Sequence, residues 1–145
     1  MVYRVFSQET AAPDTERLVG HASRFFAAKL DLLERSPGSL RVRLSSAKPA
    51  FDAELTLRVR DVTREDVQDA RDAEARGRAA GMSALAEKCT RIWEIEPAHG
   101  FEHALAACVS MSGICASIAL GPVLPPDHST LFGVRGALER LALLG

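Results

Sequence analysis

The sequence predicts an α+β fold, a two-layer sandwich with a ferredoxin-like βαββαβ core, an antiparallel sheet and a C-terminal helical extension. Three observations predict this class. Residues 39–62 alternate apolar and polar side chains, residues 15–34 repeat apolar side chains at helical spacing, and the first six predicted elements run β-α-β-β-α-β. At 145 residues the chain fits one domain, with 1–96 as the core and 97–145 as the extension.

The first two elements are predicted from "YRVF" and the segment after it. "YRVF" is a short β-prone stretch. Asp14 can cap a helix over residues 15–34, whose apolar side chains recur at i, i+3, i+4 and i+7. Pro37 and Gly38 end it, because neither residue favours a continuing helix.

A β-hairpin follows, and its pattern is the most regular in the sequence. Both "SLRVRLSS" and "FDAELTLRVRDV" alternate apolar and polar residues, and a short "AKPA" connection joins them. A period of two over this length predicts two antiparallel strands with one face toward the core. The other face carries four arginines: Arg41, Arg43, Arg58 and Arg60.

The next predicted element is a long helix over residues 64–88. Thr63 and Asp66 have the spacing of a capping box, with Asp in place of the usual Glu. One face of this helix is a stripe of small residues, which would let another element or a partner approach its backbone closely. The stripe consists of Ala70, Ala73, Gly77, Ala80 or Gly81, and Ala84.

A fourth core strand, "TRIWEIE", is rich in β-branched and aromatic residues. Pro97 can open a helix over about residues 98–111, with Gly113 just past its end. Residues 114–120 are apolar throughout, so they fit either a further buried strand or a continuation of that helix. A loop, "GPVLPPDHS", precedes a final helix over residues 130–145.

The composition narrows the functional classes. The net charge of −1 provides no overall field toward nucleic acid or an anionic membrane, so neither partner is expected. Residues 104–126 carry no charge, but serines and glycines dilute the run and no Lys/Arg cluster flanks it. A buried core segment therefore fits this run better than a membrane span.

The residue usage also indicates a setting. The chain has 15 Arg and 3 Lys, which we interpret as the codon bias of a GC-rich bacterial genome. Its three cysteines include no C-x-x-C pair, and the N-terminal residues lack the apolar region of a signal peptide. We expect a reducing, cytoplasmic setting in which Cys108 and Cys115 serve as core residues.

One short stretch, "HGFEH", has spacing suited to metal chemistry. On a helix starting near Pro97, His99 and His103 would share a face and could bind one metal ion, zinc above all. Glu102 would be the candidate catalytic base for a metal-bound water. These residues resemble the H-x-x-E-H motif of the inverzincin peptidases, which implies zinc on the two histidines and a downstream glutamate as a further ligand.

The resemblance covers five residues of the chain, and the same five residues also fit the polar first turn of a helix. The only glutamate beyond Glu102 is Glu139, without a second acidic residue beside it, and Asp127 and His128 are the other conceivable third ligands. We therefore prefer the helix-start interpretation, expect no cofactor, and keep zinc binding as the alternative.

The arginine face is a second candidate site, for an anion or a partner. Arginine pairs bidentately with phosphates and carboxylates, so four of them on one hairpin could bind either. RNA-binding sheets place aromatic residues between such arginines, whereas this face has Ser45, Asp52, Glu54 and Thr56. Phosphate-binding glycine motifs and the G-x-S-x-G motif are absent from the sequence.

No catalytic motif is established, so the sequence favours a small domain that acts through protein–protein contact. An adaptor, a regulatory subunit and a homodimer all fit, with a protein partner or a second copy as the binding partner. The alternative is a metal-dependent, hydrolase-like or metal-binding protein that uses residues 99–103.

Overall fold

The computed structural model describes residues 2–99 and 104–145 of the chain. Within these ranges the protein is an α+β structure with one six-stranded antiparallel sheet and five helices. In chain order the elements are β1 (Tyr3–Ser7), α1 (Thr15–Phe26), β2 (Ala28–Ser36), β3 (Ser39–Ala47), β4 (Ala50–Asp61), α2 (Arg64–Gly77), α3 (Met82–Glu87), β5 (Arg91–Pro97), α4 (Leu105–Ala119), β6 (Val123–Leu124) and α5 (Val134–Leu144).

The strand order is β2-β3-β4-β5-β1-β6, which is not the ferredoxin-like order. β5 lies between β4 and β1 and pairs antiparallel with both, and β1 also pairs antiparallel with β6. The sequence did predict four of these strands, but a list of elements does not determine which strands become neighbours. The α+β class and the antiparallel sheet are therefore confirmed, while the predicted ferredoxin-like strand order is not matched.

The predicted hairpin is confirmed as β3 and β4. Their register places Arg43 opposite Glu54 and Ala47 opposite Ala50. The apolar side chains of both strands face the main core, with Val42, Leu44 and Leu55 fully buried. The alternating pattern thus has its expected cause, since successive side chains of a strand point to opposite faces.

The predicted helix over residues 15–34 is wrong in its second half. Asp14 caps α1 as expected, through a hydrogen bond from the Glu16 N–H, but the helix ends at Phe26. Ala27 has a left-handed backbone (φ 49°), and residues 28–36 then form β2 against β3. A β-bulge at Leu33 interrupts the alternation in β2, so the apolar residues of this strand imitate helical spacing.

The two faces of the sheet carry different helices. Tyr3, Val5 and Trp93 face the main core, which is shared with α1, α4 and α5. Their neighbours Phe6 and Ile92 point the other way and join a smaller cluster with α2 and α3. On the second face, α2 and α3 therefore cover the β5–β1–β6 end, and the polar side chains of β3 and β4 remain outside that cluster.

The predicted long helix over residues 64–88 is divided into α2 and α3. Thr63 and Asp66 do form a capping box at the start of α2. α2 ends at Gly77, after which Arg78 has a left-handed backbone (φ 54°). A Cβ at Gly77 would overlap the side chain of Thr130, so this glycine allows the 125–132 loop to lie against the helix end.

α4 is the central helix of the main core. Two predictions concern it: where the helix starts, and whether residues 114–120 are strand or helix. It begins at Leu105 instead of residue 98, and it continues through residues 114–119, which decides the open choice in favour of helix. Gly113 lies inside it, where a Cβ would overlap Phe26 and crowd Ala137. Most of its residues are buried, since β1 and β5 lie on one side and α1 and α5 on others.

The last helix is shorter than predicted. α5 starts at Val134, because Phe132 is held by backbone hydrogen bonds to Val123 at the edge of the sheet. In the described ranges, no helix combines the length and the apolarity that crossing a bilayer requires.

Candidate functional site

A surface pocket lies where β1, α4, the 125–132 loop and α5 meet. Its volume is about 480 Å³, and we call it the Tyr3 pocket. Its walls are mainly apolar and include Leu105, Val109, Pro125, Phe132, Leu143 and Leu144. Tyr3, Asp127 and Arg140 supply its main polar groups. A mainly apolar pocket with a few converging polar groups is the usual form of a small-molecule site.

The polar groups of the Tyr3 pocket have distinct charge states. Burial raises the pKa of Tyr3 to about 12, with the nearby Cys108 and Asp127 adding to the rise and Arg140 opposing it, so the phenol remains protonated near neutral pH. Hydrogen bonds from Ser129 lower the pKa of the Asp127 carboxyl, which keeps it ionised. The pocket therefore presents a neutral hydroxyl, an anion and a cation.

Arg140 is held in the pocket by two contacts with residues close to it in the sequence. Its guanidinium carbon lies 4.1 Å from the centroid of the Phe132 ring, a cation–π arrangement. Its Nη1 also donates to the Gly136 carbonyl oxygen at 3.3 Å. These contacts leave further N–H donors of a fork that suits a carboxylate.

The position of Asp127 depends on a charge network behind the pocket. Arg4, the residue after Tyr3, points to the opposite face of the sheet and donates through Nη2 to His128 Nε2 at 2.9 Å. Because arginine can only donate, His128 Nε2 is the acceptor in this contact. Arg76 also donates to the His128 carbonyl oxygen at 3.1 Å, so two arginines hold the loop at the residue that follows Asp127.

Asp66 is the centre of that network and is only 2% exposed. It accepts from Arg4 at 2.9 Å, from Arg60 at 2.6 and 2.8 Å, and from the Thr63 N–H at 2.8 Å. Burial by itself would raise the pKa of Asp66, but the hydrogen bonds from Arg60 and Thr63 outweigh it and hold the pKa well below its usual range. Arg60 contacts Glu94 as well, at 3.1 Å.

The predicted metal site is only partly within the described residues. His99 follows β5, is 81% exposed, and has its Nε2 3.8 Å from a carboxylate oxygen of Glu54. Glu102 and His103 lie outside the described residues. In residues 2–99 and 104–145, no three potential ligand side chains are grouped closely enough to hold a metal ion. The zinc hypothesis therefore stays a prediction.

The conceivable third ligands have other contacts. Asp127 accepts from the Ser129 N–H in the Tyr3 pocket, and His128 accepts from Arg4. Glu139 is paired with Arg135 at 3.4 Å on the exposed side of α5.

The four arginines predicted as a binding face do project from the same side of the hairpin, and each is paired with a carboxylate. Arg43 binds Asp52 in a bidentate pair at 2.7 and 3.0 Å, and Arg41 lies 3.5 Å from Glu34. Arg58 pairs with Glu96, and Arg60 is bound in the Asp66 network. The carboxylates neutralise the positive charge that would attract an anion to these arginines. Binding of an anion or a partner at this face therefore stays a prediction.

The first part of the predicted small-residue stripe is used inside the fold. Ala70 and Ala73 are fully buried against the second face of the sheet, and Gly77 lies against Thr130. This part of the stripe is therefore explained by packing within the chain, whereas Ala80, Gly81 and Ala84 lie beyond the end of α2 and are exposed.

Sequence reasoning did not identify the Tyr3 pocket. Its residues come from four elements distributed along the whole chain, and no local spacing connects them. Two signals were present: the only tyrosine in the chain, and a proline-rich loop with a charged tip, "VLPPDHS". Neither signal indicates a site until the fold brings them together.

Comparison with family models, with curated proteins and with solved structures finds no match to this chain.

Proposed function

We propose that the protein acts through protein–protein contact, and that the contact is a homodimer formed along β2. The observation that carries this proposal is the open edge of the sheet. β2 is nine residues long and has a strand partner on one side only among the described residues. The opposite edge, β6, has two residues and is bridged to Phe132. An unpaired strand edge is a ready template for another strand.

The surface beside this edge is apolar enough to support an interface. Val19 and Phe25 on α1, together with Leu32 and Leu33 on β2, are each 39% to 46% exposed. A groove of about 520 Å³ lies between α1 and β2, with Val19 and Leu30 among its lining residues. Side chains of an added strand could bury apolar surface in this groove while its backbone bonds to β2.

The sequence of β2 is compatible with itself in the antiparallel direction. If Leu30 of one copy lies opposite Leu32 of the other and the bulged residue stays unpaired, Lys29 lies opposite Glu34 on the outward face. Two-fold symmetry forms this ion pair twice and places Asp31 at the symmetry axis. Lys29 and Glu34 are both exposed, and the ion pairs that they make within one copy are long, at 3.9 and 3.5 Å, so both side chains can turn to a contact between copies. This complementarity favours a second copy over a different protein.

Light scattering coupled to size-exclusion chromatography tests the proposal directly. The wild type should elute as a dimer. Lys29→Glu and Glu34→Lys should each weaken dimerisation about tenfold, since each variant creates two like-charge contacts. The two variants mixed together should recover the dimer, because every contact in the mixed pair is again between opposite charges.

Leu120→Lys is a matched control, since Leu120 is an exposed leucine remote from β2, and it should leave the dimer unchanged. A wild type that is monomeric up to roughly 100 µM would overturn the proposal. Single variants that dimerise as well as the wild type would refute this pairing of β2.

A cytoplasmic setting belongs to the same proposal. It is supported by three cysteines that are all unpaired and buried, as expected where thiols stay reduced.

A further inference from the structure

The Tyr3 pocket combines an apolar wall with two opposite charges. Asp127 and Arg140 both line it, together with Tyr3. The rim contributes Leu105, Leu143 and Leu144, all exposed, with Leu143 88% exposed. Exposed apolar side chains around a polar end suit a ligand that brings its own apolar group.

The two charges restrict the ligand more than the walls do. A simple carboxylic acid would satisfy Arg140 but would meet the anionic Asp127. A simple amine would satisfy Asp127 but would meet the cationic Arg140. A ligand with an ammonium and a carboxylate on neighbouring atoms satisfies both groups and keeps the occupied pocket neutral.

We propose that the Tyr3 pocket binds a free α-amino acid with a branched or aromatic apolar side chain. The carboxylate is held by Arg140 and the Tyr3 hydroxyl, the ammonium by Asp127, and the side chain lies against Val109, Phe132 and Leu143. The volume of about 480 Å³ is within the range of pockets that hold ligands of small-molecule size. This inference is independent of the homodimer, because β2 takes no part in the pocket.

Isothermal titration calorimetry with three matched probes tests the assignment. L-Leucine has both charges, 4-methylpentanoate lacks the ammonium, and 3-methylbutylamine lacks the carboxylate. L-Leucine should bind at least about tenfold more tightly than either of the other two, since each of them leaves one charged group without a partner. L-Phenylalanine extends the test to an aromatic side chain.

Two variants separate the roles of the charged residues. Asp127→Asn should weaken L-leucine about tenfold and leave 4-methylpentanoate equal or tighter, because the repulsion is removed. Arg140→Gln should weaken both of those probes and leave 3-methylbutylamine equal or tighter. Arg135→Gln is the matched control on the same helix, since Arg135 is almost fully exposed and pairs with Glu139.

The outcomes decide the proposal in either direction. Absence of binding of L-leucine and L-phenylalanine at millimolar concentration would overturn it. Equal binding of all three leucine-derived probes would show a purely apolar pocket and would overturn it as well. If Arg140→Gln fails to fold, Tyr3→Phe replaces it, with a predicted loss for L-leucine and none for 3-methylbutylamine.

Discussion

Asp66 joins more of the molecule than any feature of its local sequence suggests. It caps α2 through Thr63, and its carboxylate also receives Arg4 from β1 and Arg60 from β4. Each oxygen of this buried anion therefore has donors, which is the condition for keeping a charge inside a protein.

Asp66→Asn should lower the free energy of unfolding by about 2 kcal/mol, because it leaves two arginines without their shared partner. The loss stays below the largest values for buried pairs, since Arg60 is a third exposed and can be hydrated. Urea denaturation at pH 7 measures it. Asp69→Asn is the control, since Asp69 contacts only the Arg4 end of the network, and it should cost under about 1 kcal/mol.

The pH dependence of stability in the wild type and in Asp66→Asn provides a second test of the role of Asp66. The folded pKa of Asp66 is held below its unfolded value, so the carboxylate stabilises the fold above the unfolded pKa of about 4. That stabilisation is lost as the pH falls through the folded pKa. The difference between wild type and Asp66→Asn should thus be constant from about pH 5 to 7 and shrink below about pH 4. A difference that grows on acidification would contradict this account of Asp66.

At this scale the sequence predicted only what is local. The capping box of Thr63 and Asp66 could be predicted because two residues three positions apart define it. The pairing of Asp66 with Arg4 could not, since the two residues are 62 positions apart. The same limit applies to Tyr3 and Arg140 in the Tyr3 pocket.

Secondary-structure elements were predicted where their periodicity was uninterrupted. β3 and β4 alternate without a break and were found with their turn. The sequence of β2 predicts a helix, because its bulge shifts the alternation and because no glycine or proline separates it from α1. The residue that ends α1 is Ala27, whose left-handed backbone has no sequence signal of the kind glycine would give.

Two glycines in helices should respond oppositely to the same substitution. Gly20 is inside α1, and an added Cβ would meet no atom within 4 Å. Gly20→Ala should therefore raise the free energy of unfolding by about 1 kcal/mol through helix propensity alone. Gly77→Ala should lower it by about 1 to 3 kcal/mol, because the new Cβ overlaps Thr130. Thermal and urea unfolding of both variants measure the difference.

Thr130→Gly provides a check on the cause. If the overlap is responsible, Gly77→Ala should cost less in a Thr130→Gly background than in the wild type. Equal costs in the two backgrounds would assign the effect of Gly77 to something other than this contact.

For the whole molecule, the class of fold could be predicted from the sequence, but the order of the strands in the sheet could not. The charge-free run of residues 104–126 contains the buried helix α4, which confirms the prediction of a core segment. The strand order, and with it the Tyr3 pocket, depends on which surfaces of α4 meet the sheet, α1 and α5. α4 is buried on most sides, so its sequence has little periodicity from which to predict these neighbours.

The cysteines report on the integrity of the whole fold. Cys89, Cys108 and Cys115 are buried, as predicted for the last two, and burial raises the pKa of Cys89 to about 11 and of Cys108 to about 12. Because only the thiolate reacts readily, DTNB at pH 8 should label no cysteine of the native protein within minutes. All three should react in urea. Labelling of one equivalent under native conditions would show that a cysteine is accessible in the folded state.

The pairing of β1 has a consequence for synthesis on the ribosome. β1 is made before the other five strands described here, yet its neighbours in the sheet are β5 and β6, so Tyr3 cannot pair until Ile95 is made, nor Arg4 until Leu124 is made. β2, β3 and β4 can pair with one another as soon as they emerge, because they are successive along the chain. In the nascent chain, β1 therefore has no strand partner while β2, β3 and β4 can already form an antiparallel meander. Closure of the sheet, and with it the Tyr3 pocket, belongs to the last stage of folding.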